Sequence, residues 1–244
     1  MTVDAPRFLD MAGLHNFRDI GGYPTADGAT TRWGRVLRAG QLNEIGEAAH
    51  PQIDELGLRT IIDLREDVER AKSPASVYPA GLTVLRHPLY HDRIVLGDID
   101  DLGVLYTQIL DRCADTVTAA LEHLAAPGAL PALVHCSAGK DRTGLIIGLL
   151  LSALGVPDEI VAEDYAVTER AYTGEDRERM IRKGLALGAK ATRIEHLIGS
   201  PPETMRAALA GLRARHGSVE TYLLEGGLRP DSLAALRTAL VEPA

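Results

Sequence analysis

Residues 130–154 constrain this chain more than any other stretch. Leu133 and Val134 end a short apolar run opened by Pro131, and Leu145, Ile146, Ile147, Leu149, Leu150 and Leu151 make the later part almost wholly apolar. The first run is too short for a helix and reads as a buried strand, whereas the second has the continuity of a core helix. Between them lies the polar run His135-Cys136-Ser137-Ala138-Gly139-Lys140-Asp141-Arg142-Thr143-Gly144. A strand buried on both faces that turns at once into a buried helix belongs in a parallel sheet covered by helices. The chain is therefore expected to be α/β. We expect a single domain over residues 1–244 with a mostly parallel central sheet of about 4–5 strands flanked by helices, the polar turn lying at a strand's C-terminal end.

That turn carries its own chemistry. Ser137, Ala138, Gly139, Lys140, Asp141 and Arg142 wrap from strand to helix, where consecutive backbone amides can point inward beside the unsatisfied donors of the helix's first turn. Such a cup binds a phosphate dianion. The same field, with Arg142 nearby, favours a thiolate at Cys136, and a thiolate at the base of an anion cup can attack phosphorus. Arg142 can hold two equatorial oxygens bidentately as charge develops, and Thr143 can donate its hydroxyl to the Cys136 sulfur. A Cys six positions before an Arg is weak evidence by itself. The preceding His135, Gly139 and the run Lys140-Asp141-Arg142-Thr143-Gly144 set it apart from a plain core cysteine beside a capped helix.

The run at 135–144 resembles the active-site loop of the protein tyrosine phosphatase superfamily, and more narrowly that of the bacterial tyrosine/lipid phosphatases, whose loop carries Lys-Asp before the Arg. Asn16-Phe17-Arg18-Asp19-Ile20-Gly21-Gly22-Tyr23 and Ile61-Ile62-Asp63-Leu64-Arg65 are similar to that family's N-terminal segments. The resemblance runs from about Leu14 to the final helix. It implies a metal-independent, cofactor-free phosphomonoester hydrolase that passes through a phosphocysteine, with His135 ordering the loop by hydrogen bonding. It also implies activity on phosphotyrosine and on phosphoinositides. Lys140 adds a second cation suited to a multiply phosphorylated substrate, or else pairs with a surface carboxylate. A helical lid within 158–198 is a further implication, the alternative being a solvated helical face bearing Arg170, Arg177, Arg179, Arg182 and Lys183.

The general acid is less defined. Asp141, inside the loop, resembles the aspartate assigned that role in some lipid phosphatases. Asp92, 44 residues before Cys136 in a polar stretch with Asp98, Asp100 and Asp101, is the alternative on a separate loop. Asp63 ends an apolar strand beside Arg65 and could equally cap the following turn.

Composition narrows the partners. A formal net charge of −8 over 244 residues argues against general nucleic-acid binding, so an anionic substrate (a phosphorylated protein, lipid or small molecule) must be met by local positive charge. Two cysteines make no disulfide framework, residues 1–11 lack the apolar core of a signal peptide, and the apolar run 144–156 is too short to cross a bilayer. A cytoplasmic protein without a membrane segment is expected, of unspecified oligomeric state.

Elsewhere, residues 14–40 read as a hairpin with Asp27-Gly28 at its turn, and Arg18 and Asp19 as an exposed face of it, the alternative implied by the resemblance being a functional pair near the phosphate site. A helix-like stretch from Glu44 ends at Gly57, followed by a strand through Ile61 and Ile62 and a second at residues 82–85. His87 and His91 have metal-binding spacing for a helix, but Pro88 opposes one. Leu105, Ile109, Leu110, Cys113, Val117, Leu121 and Leu124 form one helical stripe with Cys113 as core. Ser200-Pro201-Pro202-Glu203 reads as a capping box, and residues 231–241 as the closing helix.

Rival chemistries fit less well. A nucleotide-binding loop needs Ser or Thr after Gly-Lys, where this chain has Asp141. A cysteine-protease pairing fails because His135 and Cys136 point to opposite faces of a strand, and a sulfurtransferase loop is unlike Lys-Asp-Arg-Thr-Gly. A biosynthetic phosphatase for a small metabolite and a non-catalytic phosphate-binding module remain as alternatives, the latter disfavoured by a retained nucleophile.

Overall fold

The structure is a computed structural model that describes residues 7–243 apart from 75–77, 79, 96–98, 100, 187–193 and 195–197. Strands β1 (Arg18–Asp19), β3 (Val36–Ala39), β4 (Thr60–Asp63), β5 (Thr83–Arg86) and β6 (Ala132–His135) form one sheet in the order β1-β3-β6-β4-β5. Only the β1–β3 pair is antiparallel, and β6 lies at the centre. The short β2 (Thr30–Thr31) pairs instead with β7 (Val241–Glu242), so the hairpin and the chain's end close on each other.

Period-two alternation sorts the two cores. Leu37, Leu133 and Ile61 are in register and face a smaller core with Phe17, Leu42, Ile45 and Ile53. Val134 and Ile62 face the larger one, and Cys136, two residues beyond Val134, joins it. His135 consequently turns to the opposite face, in register with Asp63.

The larger core is built around a helix. Helices α1 (His50–Glu55) and α2 (Asp67–Lys72) precede α3 (Leu102–Arg112) and α4 (Ala114–Ala125); α5 (Asp141–Ala153) then follows the polar turn. Apart from Asp141 and Ser152, every residue of α5 is buried, as a helix apolar all round must be. It packs against α4, α6 (Asp158–Ala166), α9 (Pro202–His216) and α10 (Val219–Glu225). Among the described residues the other helices are α7 (Thr168–Ala171), α8 (Gly174–Ala186) and α11 (Pro230–Leu240).

Several expectations need correction. Arg18 and Asp19 are not an exposed face: both are buried, Arg18 completely, because partners distant in sequence satisfy them. The stripe through Cys113 is two helices, since Cys113 leaves helical geometry at φ −124° and ψ 23° while staying in the core. No capping box forms at 200–203. Pro201 takes the cap position, and Ser200 turns back, its hydroxyl donating to the Ala166 carbonyl at 3.3 Å and its amide to Glu169 Oε1 at 2.9 Å. The helix ending at Gly57 begins only at His50, after a single 3-10 turn at Glu47–Ala49. Asp98 and Asp100 lie outside the described residues. Asp101 caps α3 by accepting from the Gly103 and Val104 amides.

Candidate active site

The loop from Cys136 to Arg142 is shaped from outside. The Gln41 amide donates to the Ser137 carbonyl at 3.0 Å. Tyr172 Oη donates to the Ala138 carbonyl at 2.7 Å, Arg38 Nη2 to the Gly139 carbonyl at 2.9 Å, and Asn16 Nδ2 to both, at 3.2 and 3.0 Å. A peptide unit is planar and trans, so a carbonyl drawn outward turns the following amide inward. The amides of Ser137, Ala138, Gly139, Asp141 and Arg142 accordingly donate to no protein acceptor among the described residues. That leaves a ring of amide donors around Cys136, and such a concavity attracts an anion. Gly139 permits the close approach: its φ is +62°, and a Cβ there would sit 2.3 Å from the Ala39 carbonyl oxygen.

The outward pull has a charged anchor. Asp164 on α6 is buried between two buried arginines, with Oδ1 accepting from Arg18 Nε at 3.2 Å and Tyr23 Oη at 3.0 Å, and Oδ2 accepting from Arg38 Nη1 at 2.6 Å. Burial by itself would raise the Asp164 carboxyl, but the two guanidinium charges hold it at about 2. Arg18 is lowered to about 10, first by burial and then by the like charge of Arg38. Arg18 Nη1 also bonds the Asn16 side-chain oxygen, which turns the Asn16 amide nitrogen toward the loop carbonyls.

Arg142 is held from α2. Its Nη2 donates to Glu69 Oε1 at 2.7 Å and its Nη1 to Glu69 Oε2, while Ser137 Oγ donates to Glu69 Oε1 at 2.5 Å. Arg142 Nη1 also reaches the Leu64 carbonyl at 3.3 Å, and the Tyr90 ring lies 5.0 Å from its guanidinium. Although burial opposes ionisation of Glu69, Arg142 and Ser137 bring its carboxyl down to about 2. The bidentate clamp fixes the plane of a permanently charged guanidinium at the rim of the amide ring.

The other residues expected at the site fall into distinct places. His135 Nδ1 lies 3.2 Å from the Cys136 carbonyl and must carry the hydrogen there, since a carbonyl only accepts. Burial lowers this imidazole to about 4, so it is neutral at pH 7. Both oxygens of Asp63 are taken by Arg65, at 2.9 and 2.8 Å. Burial pushes that carboxyl up, but Arg65 and His135 outweigh it and hold it below the usual range, so it has neither a proton nor a free oxygen to offer. Asp92 sits exposed on a turn whose central residues, His91 and Asp92, have φ of +45° and +59°. Such backbone strain in residues other than glycine is tolerated only where surroundings enforce it. Here Tyr90 donates its amide to Glu66 Oε1 and Arg93 grips Asp115. His87, four residues before His91, spends Nε2 on the Thr116 carbonyl at 2.7 Å.

Asp141 opens α5. Its Oδ1 accepts from Tyr106 Oη at 2.9 Å and lies 3.3 Å from Lys140 Nζ. Lys140 is 1% exposed, pairs with this quarter-exposed carboxylate, and donates from Nζ to the Gly199 carbonyl at 2.9 Å. The Thr143 hydroxyl oxygen is buried and makes no hydrogen bond, to the Cys136 sulfur or to any other described group. The burial of α5's first turn, set by helix packing, holds it there. Sequence reading missed Asn16, Arg38, Glu69, Tyr106, Asp164 and Tyr172; for Asn16 alone there was a signal, in the segment similar to a family motif.

Mycobacterium tuberculosis has a relative named "Triple specificity protein phosphatase PtpB", 26% identical over 95% of this chain and 98% of its own length. A protein of Nostoc commune named "Tyrosine-protein phosphatase" is 26% identical over 84% of this chain and 73% of that one. The sequence profile described as the tyrosine phosphatase family matches residues 9–242, essentially the whole described chain and every residue of the amide ring, and the chain belongs to that family of phosphoric monoester hydrolases.

Proposed function

We propose that this protein hydrolyses phosphotyrosine through a phosphocysteine. The observation that carries the reading is the ring of inward amides around Cys136, completed by Arg142 in its Glu69 clamp. The dianion sits in the ring, with Arg142 on its equatorial oxygens. The Cys136 thiolate attacks phosphorus as the ester oxygen departs, and Asp141 gives that oxygen a proton. In the second step water attacks phosphorus, Asp141 takes the water's proton, and the sulfur leaves as thiolate. In this reading the buried Thr143 hydroxyl, which has no partner among the described residues, donates to that sulfur as it leaves. Asp141 is favoured over Asp63, whose oxygens are committed to Arg65, and over Asp92, which is exposed. Cys136→Ser should abolish turnover of p-nitrophenyl phosphate while phosphate or tungstate still binds. Turnover surviving that change, or requiring an added divalent metal, would sink the mechanism.

Phosphoinositides are a second substrate class in this reading, supported by Lys140 in the loop and consistent with a relative named for triple specificity. We also propose a helical lid within residues 158–198, of which 187–193 and 195–197 lie outside the described residues. Its supports are the two ends of residues 173–199, which meet where Ser200 bonds Glu169 and each reach the loop, through Tyr172 to Ala138 and through Gly199 to Lys140.

A further inference from the structure

Asp141 presents its two oxygens unequally. Oδ1 takes Tyr106 Oη and Lys140 Nζ, whereas Oδ2 accepts no hydrogen bond among the described residues, and the side chain is 25% exposed. The terminal torsion of an Asp side chain is broad, so an unanchored carboxyl would offer either oxygen in many orientations. Tyr106 removes that freedom from across the fold: it lies 35 residues away on α3 and is wholly buried. Its own place is fixed by Tyr165 on α6, with hydroxyls 2.7 Å apart and rings edge-on at 5.9 Å. The Tyr165 ring in turn lies against Gly144 in the first turn of α5, where an added Cβ would stand 3.0 Å from it. Asp141, Tyr106, Tyr165 and Gly144 thus close a circuit around the start of α5. A phenol has a single hydrogen, so when Tyr106 spends it on Asp141 the Tyr165 hydroxyl donates to Tyr106. Burial and the neighbouring Asp141 raise the Tyr106 phenol well above its ordinary value, so it remains a neutral donor throughout.

We propose that Tyr106 is a positioning residue for the general acid: its hydroxyl, set by Tyr165, pins Oδ1 of Asp141 so that Oδ2 carries the transferable proton toward the leaving oxygen. This rests on Asp141 being the acid. No bond to phosphorus involves Tyr106; the proton passes from Asp141 Oδ2 to the leaving oxygen and returns from the attacking water.

The experiment is a leaving-group series of aryl phosphates, from p-nitrophenyl to phenyl phosphate, run on the wild type, Tyr106→Phe, Tyr165→Phe, Asp141→Asn and the Tyr106→Phe/Asp141→Asn double variant. Losing the acid outright should cost poor leaving groups roughly 10²- to 10⁴-fold more than good ones. Tyr106→Phe should slow phenyl phosphate about tenfold or more beyond its effect on p-nitrophenyl phosphate, a part of that full effect. Tyr165→Phe, which keeps the Tyr106 hydroxyl, should slow it less, and the double variant should be no slower than Asp141→Asn alone. An even loss across the series would mean that Tyr106 only supports the fold. A flat Tyr106→Phe profile beside a steep Asp141→Asn profile would overturn the positioning role and leave Asp141 as the acid. A flat Asp141→Asn profile would overturn the acid assignment itself, and a steep one for Asp92→Asn would move it to Asp92.

Discussion

Replacing Asp164 by Asn tests whether the active loop is held open by a buried charge. The carboxyl is depressed from 3.8 to about 2 in the fold, and at ~1.4 kcal/mol per unit this places roughly 2 kcal/mol of stability on its ionised form. Removing one partner of a buried pair costs more, about 3–5 kcal/mol, because the other charge is stranded. Asn keeps one acceptor for Arg18 or Arg38 but points an N–H at the other, and both guanidiniums are fully buried. About 3 kcal/mol of destabilisation at pH 7 is therefore expected in urea unfolding. A depressed carboxyl contributes fully above its unfolded value and loses that contribution as pH falls through the folded one. The gap between wild type and variant should thus be constant from neutral pH down to about 5 and close as pH falls from 3.8 toward about 2. Arg38 also holds the Gly139 carbonyl, so the folded variant should bind vanadate more weakly. A gap below about 1 kcal/mol at pH 7, or one that widens in acid, would refute this reasoning.

Two further outcomes can be checked on the same enzyme. Lys140→Ala should reduce kcat/KM for phosphoinositides more than for a phosphotyrosine peptide, and equal losses would make Lys140 a strut between the loop and Gly199. Deleting residues 174–191 should leave a folded enzyme with altered KM and faster peroxide oxidation of Cys136, and an unchanged oxidation rate would make the segment a surface decoration.

The loop was legible in the sequence because its determinants are local. Cys136, Gly139 and Arg142 lie within one turn between a strand and a helix, and an apolar run too short for a helix next to one long enough announces a parallel sheet. The same locality explains the errors. Charged residues at 18 and 19 read as exposed because charged and apolar residues alternate in that hairpin, yet Asp164, 146 positions on, pairs with a fully buried Arg18. A break at Cys113 and the turn of Ser200 toward Ala166 likewise follow from packing rather than from the flanking residues.

The Cys136-to-Arg142 loop and the α/β frame were legible in the chain itself, since they depend on spacing and on the burial preferences of contiguous residues. How the cup is kept open and how its groups are oriented came from packing between distant segments. Asn16 lies 123 residues from the Gly139 carbonyl it grips, and Glu69 lies 73 from the Arg142 it clamps. Such pairs meet because strand order brings β1, β3 and α2 around the end of β6, and a buried polar group takes whatever partner that order delivers.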